Sequence, residues 1–284
     1  MLGHQANYKG CCDGSWIAVS QQGGHSNTKG IGEGIVREFV HQGAKVVFCA
    51  SESEEQGKAI VQELKDCGAA GEAHFQICDV RCEQDIQNLV AVTIELYGRL
   101  DCLVNNVGIH PRNRTIDDFT AEDFRSLMDI NAVSYFLASK YSLPYLRKTK
   151  GNIINISSLA NVIGGKQSVT YIATKGAVTA MTKALAIDES KYCVRVNSIS
   201  PSNIWTPAWE KEASETPNPE ATIQKGKDFQ LMGRMGTPAE IAKAALFLAT
   251  DATFCTGCDL VASGGAELGF AHKSPFTPRC DSKN

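Results

Sequence analysis

No stretch of this chain reaches the roughly eighteen consecutive apolar residues that a membrane-spanning helix requires. Its opening, "MLGHQANYKGCCDGSW", has no apolar centre of the kind a secretory leader carries. A cytosolic protein is expected. Basic clusters are missing too: 28 Lys and Arg face 31 Asp and Glu, the formal net charge is −3, and no Lys/Arg-rich block occurs. The footprint of a nucleic-acid binder is therefore absent. The final "SKN" lacks the leucine that would complete a peroxisomal address. The cysteines number 11 and are scattered, which is not the framework of a small secreted domain. Cys255 and Cys258 form one CxxC with no second pair or His at ligand spacing, so no metal site is expected and two buried, inert thiols are the simpler reading.

What is present is a rhythm. "KVVFCA" (45–50), "HFQICDV" (74–80), "DCLVNNVG" (101–108), "GNIINISS" (151–158), "VRVNSISP" (194–201) and "DLVASGG" (259–265) read as buried strands. Helical patterns lie between them: "IGEGIVREFVHQG" stripes Ile31, Ile35, Phe39 and Val40 and stops at Gly43, and two longer helices are predicted within 122–146 and 168–190. Unbroken Val/Ile strands alternating with helices mean a parallel sheet covered on both faces. The fold class is α/β, a Rossmann-like doubly wound parallel sheet in a single domain over 1–284. Residues 1–28 read as an atypical start and 271–284 as a loosely ordered tail. The polar region 202–232, broken by Pro207, Pro217 and Pro219, reads as a helical insertion lying over a site.

The strongest chemistry is "YIATK". Tyr171 and Lys175 stand four apart on a predicted helix and share a face, which puts an ammonium beside a phenol. Bringing a tyrosine from a pKa of about 10 to ~7 takes roughly 4 kcal/mol of differential stabilisation, which a close cation in a dry site supplies. Ser158 ends the preceding strand, where a strand-to-helix crossing brings its hydroxyl to the phenol. Such a pair alone is a weak signal, and its placement gives it weight. Ser158, Tyr171, Lys175 and "NNVG" all fall at the carboxyl edge of the sheet, where open α/β folds bind ligands.

On these residues the chain resembles the short-chain dehydrogenase/reductase family, from about Gly30 to Gly269. "NNVG" is similar to the family's NNAG, Asn131 in "DINAVS" sits where the family has its helix asparagine, and "SPSNIWTP" resembles its PG segment. The longer strings "YIATKGAVTAMTKALAIDES" and "RVNSISPSNIWTP" look most like the branch acting on 17-beta-hydroxysteroids and L-fucose. The resemblance implies that Tyr171 is the general acid/base, that Ser158 stabilises the substrate oxygen, and that Lys175 depresses the tyrosine and binds the nicotinamide ribose. It implies that Asn131 holds a proton-relay water, against the alternative of a helix-kinking polar group satisfied by backbone. It places Asn106, Gly108, Ile204 and Thr206 against the cofactor. Asp79 and Val80 match an adenine contact, Asp79 being otherwise a helix N-cap.

The phosphate-binding turn is altered. The family reads TGxxxGIG directly after the first strand, whereas aligning Gly30, Ile31 and Gly32 puts His25 and Ser26 at the Thr and first Gly. The nearest apolar strand, "WIAVS" (16–20), comes several residues early, so the first strand is either displaced or compromised as the sheet's central member. Gly30, Ile31 and Gly32 still offer a helix N-terminus to phosphates. The second strand ends in Ala50 and Ser51, without the acidic residue that takes the ribose hydroxyls of NAD. Lys29 could meet a 2′-phosphate, or be an exposed loop lysine. The cofactor is expected to be NAD by resemblance, with NADP also open.

His110 and Trp209 are expected at the substrate pocket, or else as a satisfied polar residue and a lid anchor. Large aromatics at a lid suit a flat 17-beta-hydroxysteroid; a sugar such as L-fucose stacked on a ring, or a small carbonyl, is the alternative. A third reading is a pseudoenzyme scaffold whose altered start binds nucleotide poorly. The expected partners are a small-molecule substrate, with neither nucleic acid nor membrane, and, by resemblance, three further copies in a homotetramer.

Overall fold

Strands rich in β-branched residues with both faces apolar must sit between two helical layers, and the chain is built that way. The computed structural model describes residues 15–19, 30–52 and 54–269. The strands are β1 (Ser15–Val19), β2 (Lys45–Ala50), β3 (Glu72–Ile77), β4 (Cys102–Asn105), β5 (Asn152–Ile156), β6 (Arg195–Pro201) and β7 (Asp259–Ala262). They form one parallel sheet in the order β3-β2-β1-β4-β5-β6-β7. The order reverses between β1 and β4, and ligands bind at such a reversal, outside the carboxyl ends of the strands.

One helical layer holds α1 (Ile31–His41), α2 (Glu54–Asp66) and α10 (Pro238–Thr250), whose Ile35, Phe39, Leu64, Ile241 and Leu248 share one buried cluster. The other holds α3 (Glu83–Tyr97), α5 (Ser134–Thr149) and α7 (Val169–Glu189), with Ile86, Leu89, Tyr135, Leu146 and Val178 in the second cluster. The expected helix over 122–146 is interrupted. α4 (Ala121–Met128) passes through a π-helical segment, Asp129–Val133, into α5. π-segments inside helices mark functional sites often enough to direct attention to Asn131, which this one contains.

The first strand is displaced and intact as a central member. β1 pairs with β2 on one side and with β4 on the other, Val19 aligning with both Cys49 and Asn105. Lys29 and the altered residues His25 and Ser26 lie outside the described residues, as do the tail residues 271–284. Two of the prolines that break 202–232 start helices there. Thr206 and Asn218 cap α8 (Pro207–Ser214) and α9 (Pro219–Asp228) through their side chains, and Pro207 and Pro219 follow in first-turn positions, where a missing N–H costs nothing.

Helices α1 and α10 cross at a point that only glycine fits. A Cβ on Gly34 would stand 2.9 Å from Pro238 Cβ and 3.0 Å from its carbonyl carbon. Gly34→Val must therefore separate the two helices, and the expected cost is about 1–3 kcal/mol. Urea denaturation measures it as a lowered midpoint at unchanged slope.

Candidate active site

The site is assembled at the carboxyl ends of β4, β5 and β6. β5 ends at Ile156, and its carbonyl, pointing past the last ladder bond, accepts from Lys175 Nζ at 2.8 Å and from the Tyr135 hydroxyl at 3.1 Å. Ser157 Oγ donates to the Lys175 carbonyl at 3.1 Å, which pins α7 to the same strand end. Ser158 follows, its Oγ accepting from Ala160 N at 3.2 Å and standing close enough to the Tyr171 phenol to lower its pKa. Ser158, Tyr171 and Lys175 are thus brought together by one strand end and one helix.

Asn131 is wholly buried and clamps the segment after β4. Its Oδ1 accepts from Ile109 N at 2.9 Å, and its Nδ2 donates to Ile109 O at 3.0 Å and to Thr174 Oγ1 at 3.1 Å. The side chain has the backbone partners foreseen in the alternative reading, and it joins three elements. Gly108 lies just inside this clamp, where a Cβ would stand 3.1 Å from Lys175 Nζ and 3.5 Å from Asn131 Oδ1. Asn106, partly buried, precedes it. His110, two residues beyond Gly108, stacks tilted on the Tyr171 ring with centroids 4.3 Å apart.

The electrostatics differ from the expectation that Lys175 makes the phenol acidic. Lys175 is 3% exposed, and burial alone lowers its ammonium to about 7. Burial also raises the Tyr171 phenol, with only the Ser158 hydrogen bond opposing. The reason is distance and direction: Nζ lies 5.9 Å from the Tyr171 ring centroid and is aimed at the Ile156 carbonyl. From the protein's own groups, desolvation outweighs the pair's attraction. His110 is lowered as well, by burial first, with Glu212 opposing, although the residue as a whole is exposed.

The mouth has a polar rim. Arg112 pairs with Glu215 at 2.7 Å, tying the segment after β4 to the end of α8. On the other side Arg114 N donates to Gln167 O at 3.0 Å and Ser168 Oγ to Asn113 Oδ1 at 2.9 Å. Trp209 packs its ring 5.8 Å from that of Trp205 and covers Gly226, so it anchors α8 on α9. A cavity of about 250 Å³ one strand over, lined by Gln230, Met232, Arg234 and Ser263, meets these residues only at Ile204.

The residues suit a dinucleotide. Among the described residues Lys175 Nζ has one hydrogen-bond acceptor, which leaves two buried N–H groups for ribose hydroxyls. Gly30 is the N-cap of α1, and among the described residues no side chain caps the helix start, which suits the N–H groups of Ile31 and Gly32 to a phosphate. Val80 is buried. Asp79 is no N-cap: Cys82 holds that position before α3, and the Asp79 carboxylate accepts from Arg81 N at 2.9 Å and from its guanidinium at 2.6 Å. Ser51 is partly buried just beyond β2. Ile204 is buried and bridged to Gly236, and the Thr206 hydroxyl accepts from Trp209 N at 3.3 Å. Sequence reasoning missed Tyr135, Ser157 and Thr174; Tyr135, four residues after Asn131, carried the helical spacing that would have found it.

A family model described as enoyl-(acyl carrier protein) reductase matches residues 24–267. L-fucose dehydrogenase of Bos taurus is 54% identical over 246 residues, 87% of this chain and 88% of that protein. The Mus musculus protein of the same name is 53% identical over 247 residues, again 87% and 88%. The crystal structure of Cj0485 dehydrogenase superposes with a TM-score of 0.81 at 29% identity, covering 91% of this chain and 95% of that one. The chain belongs to the short-chain dehydrogenase/reductase family. It is an NAD(P)-dependent oxidoreductase acting on a small molecule.

The close fit at Gly108 gives a test of the site's geometry. Gly108→Ala pushes a methyl toward Lys175 Nζ, and kcat/KM is expected to fall tenfold or more while the urea midpoint moves less than for Gly34→Val. Steady-state kinetics beside denaturation curves separate the two effects.

Proposed function

We propose that the chain oxidises a ring hydroxyl of L-fucose or a closely similar sugar, with Ser158, Tyr171 and Lys175 as its catalytic groups. The observation that carries this is the identity above 50% to L-fucose dehydrogenases along nearly nine-tenths of the chain. The rim supports it. His110, Arg112, Asn113 and Glu212 offer hydrogen-bonding groups to a polyol, and a neutral His110 both donates and accepts. A 17-beta-hydroxysteroid is the second reading, favoured by the Trp205–Trp209 pair and by Trp205's exposure beside the lid.

A nicotinamide dinucleotide held in this crevice would supply the hydride acceptor. The protein's part is to orient and to move one proton. Ser158 holds the substrate oxygen beside the phenol, and Tyr171 takes the hydroxyl proton as the alcohol becomes a carbonyl, or returns it in reduction. Lys175 holds the ribose, and Asn131 with Gly108 keeps the cradle open for it. His110 contacts the substrate. Gly30, Ile31 and Gly32 meet the pyrophosphate, while Asn106, Asp79, Val80, Ile204 and Thr206 line the rest of the nucleotide. Phe247 and Leu268 are about half-exposed, and Phe254 fully so, which supports assembly of further copies, a homotetramer, through the β7 and α10 edge.

Ala50 and Ser51 set no carboxylate against a 2′-phosphate, so the two dinucleotides are weakly distinguished. Dissociation constants for NAD and NADP are expected within tenfold of one another, and Ser51→Asp is expected to widen the ratio in favour of NAD. Tyr171→Phe is expected to abolish turnover with L-fucose while leaving those constants nearly unchanged; persisting turnover would remove Tyr171 from the chemistry. Because burial holds the phenol above its ordinary value, oxidation, which needs the phenolate, is expected to climb with pH into the alkaline range. Reduction, which needs the phenol, is expected to fall there. Rates at 340 nm in both directions measure this.

A further inference from the structure

At the opposite end of the sheet from the crevice, Cys255 and Cys258 stand in the turn that leads into β7. The turn is held from several sides. Cys255 N donates to Ala252 O at 3.0 Å, Gly257 N to Val196 O at 2.7 Å, Ser198 N to Cys258 O at 2.9 Å, and Val196 N to Thr256 Oγ1 at 3.1 Å. Asn197, wholly buried on β6, spans the two cysteines: its Nδ2 donates to Cys255 O at 2.8 Å and its Oδ1 accepts from Cys258 N at 3.2 Å. The backbone at both ends of the CxxC is therefore fixed by a single carboxamide.

The Cys255 and Cys258 thiols are close enough to interact with one another. Both side chains are partly exposed, unlike the wholly buried Cys49, Cys78 and Cys102. The Arg195 guanidinium is within electrostatic reach of both, while its N–H groups cap the end of α10 through the carbonyls of Leu248, Ala249 and Ala252. Among the described residues no third His, Cys, Asp or Glu joins the pair into a metal cluster. The expectation of two inert, buried thiols does not describe this geometry.

We propose that Cys255 and Cys258 close a reversible intrachain disulfide, a redox site independent of the dehydrogenase reaction. A rigid turn with the two thiols already adjacent has little conformational freedom left to lose, so ring closure competes well with attack by an outside thiol. The oxidant is a small disulfide of the glutathione type. The Cys255 thiolate attacks one glutathione sulfur, the glutathione S–S bond breaks, and one glutathione thiolate leaves. Cys258 then attacks the Cys255 sulfur of the mixed disulfide, the protein S–S bond forms, and the second glutathione leaves. Two protein thiols are oxidised, and one glutathione disulfide is reduced to two thiols that carry off the two protons. Burial, with Cys255 and Asp259 nearby, pushes the Cys258 thiol up, which suits it to the second, resolving attack.

The full-length protein is equilibrated in buffers of increasing glutathione disulfide, quenched in acid, alkylated under denaturing conditions and mapped by mass spectrometry. The peptide carrying 255–258 is expected to lose both alkyl groups together and to become two hydrogens lighter, through a single midpoint. Exposed Cys67, Cys82 and Cys193 serve as the internal comparison and are expected to carry glutathione instead. Cys258→Ser is expected to convert the closed species into a glutathione adduct on Cys255. A doubly alkylated peptide at every buffer ratio, or glutathione adducts on the wild-type pair without closure, overturns the proposal. Wild-type mapping decides it even if the variant fails to fold.

Discussion

One carbonyl organises the catalytic end of this molecule. The last residue of β5 has no further ladder partner to donate to its oxygen, so Ile156 O is free to take the Lys175 ammonium and the Tyr135 hydroxyl. That acceptance fixes the rotation of α7 about its axis, and Tyr171, one turn earlier on the same face, is carried to Ser158. Without it a lysine that is 3% exposed would have no hydrogen-bond acceptor in a medium where an unpaired cation is costly. Seen this way Lys175 is held by the protein at one of its three N–H groups and left with donors facing the crevice.

The same burial that places Lys175 also limits what it does to its neighbour. A cation five to six ångströms from a ring and turned toward a carbonyl lowers a phenol little, and desolvation of the phenolate outweighs it. The tyrosine is therefore poised as an acid by the protein's own groups. In the proposed reaction its work as a base comes at higher pH or with additional positive charge in the crevice. Asn131 and Gly108 serve the same end by different means, one tying Ile109 to the helix and the other leaving space beside Nζ.

Much of this was legible in the residues. Six strands and the covering helices followed from Val/Ile runs and apolar stripes, because a buried parallel strand has to be apolar on both faces. Ser158, Tyr171 and Lys175 were legible because their spacing is fixed by a strand end and one helical turn. The first strand was harder. "WIAVS" lies too early for a tight turn, and what decides its place is pairing with β2 and β4, a long-range property that local pattern does not contain. The π-segment through Asn131 is invisible to apolar periodicity, since it is one bulged turn whose Asn131 side chain is bonded by Ile109 from outside the helix. The partnership of Cys255 with Cys258 depends on Asn197 of another strand, and so it read as two inert thiols.

The buried, single-acceptor lysine is the claim on which the site's geometry and its proton chemistry both rest. Its most direct measurement is the titration of Lys175 in the folded protein by NMR of isotopically labelled lysine, assigned by difference from Lys175→Met. A midpoint at about 7 is expected. A midpoint near the ordinary lysine value of about 10.4 would show that the ammonium is hydrated in the folded protein and that burial does not set its charge.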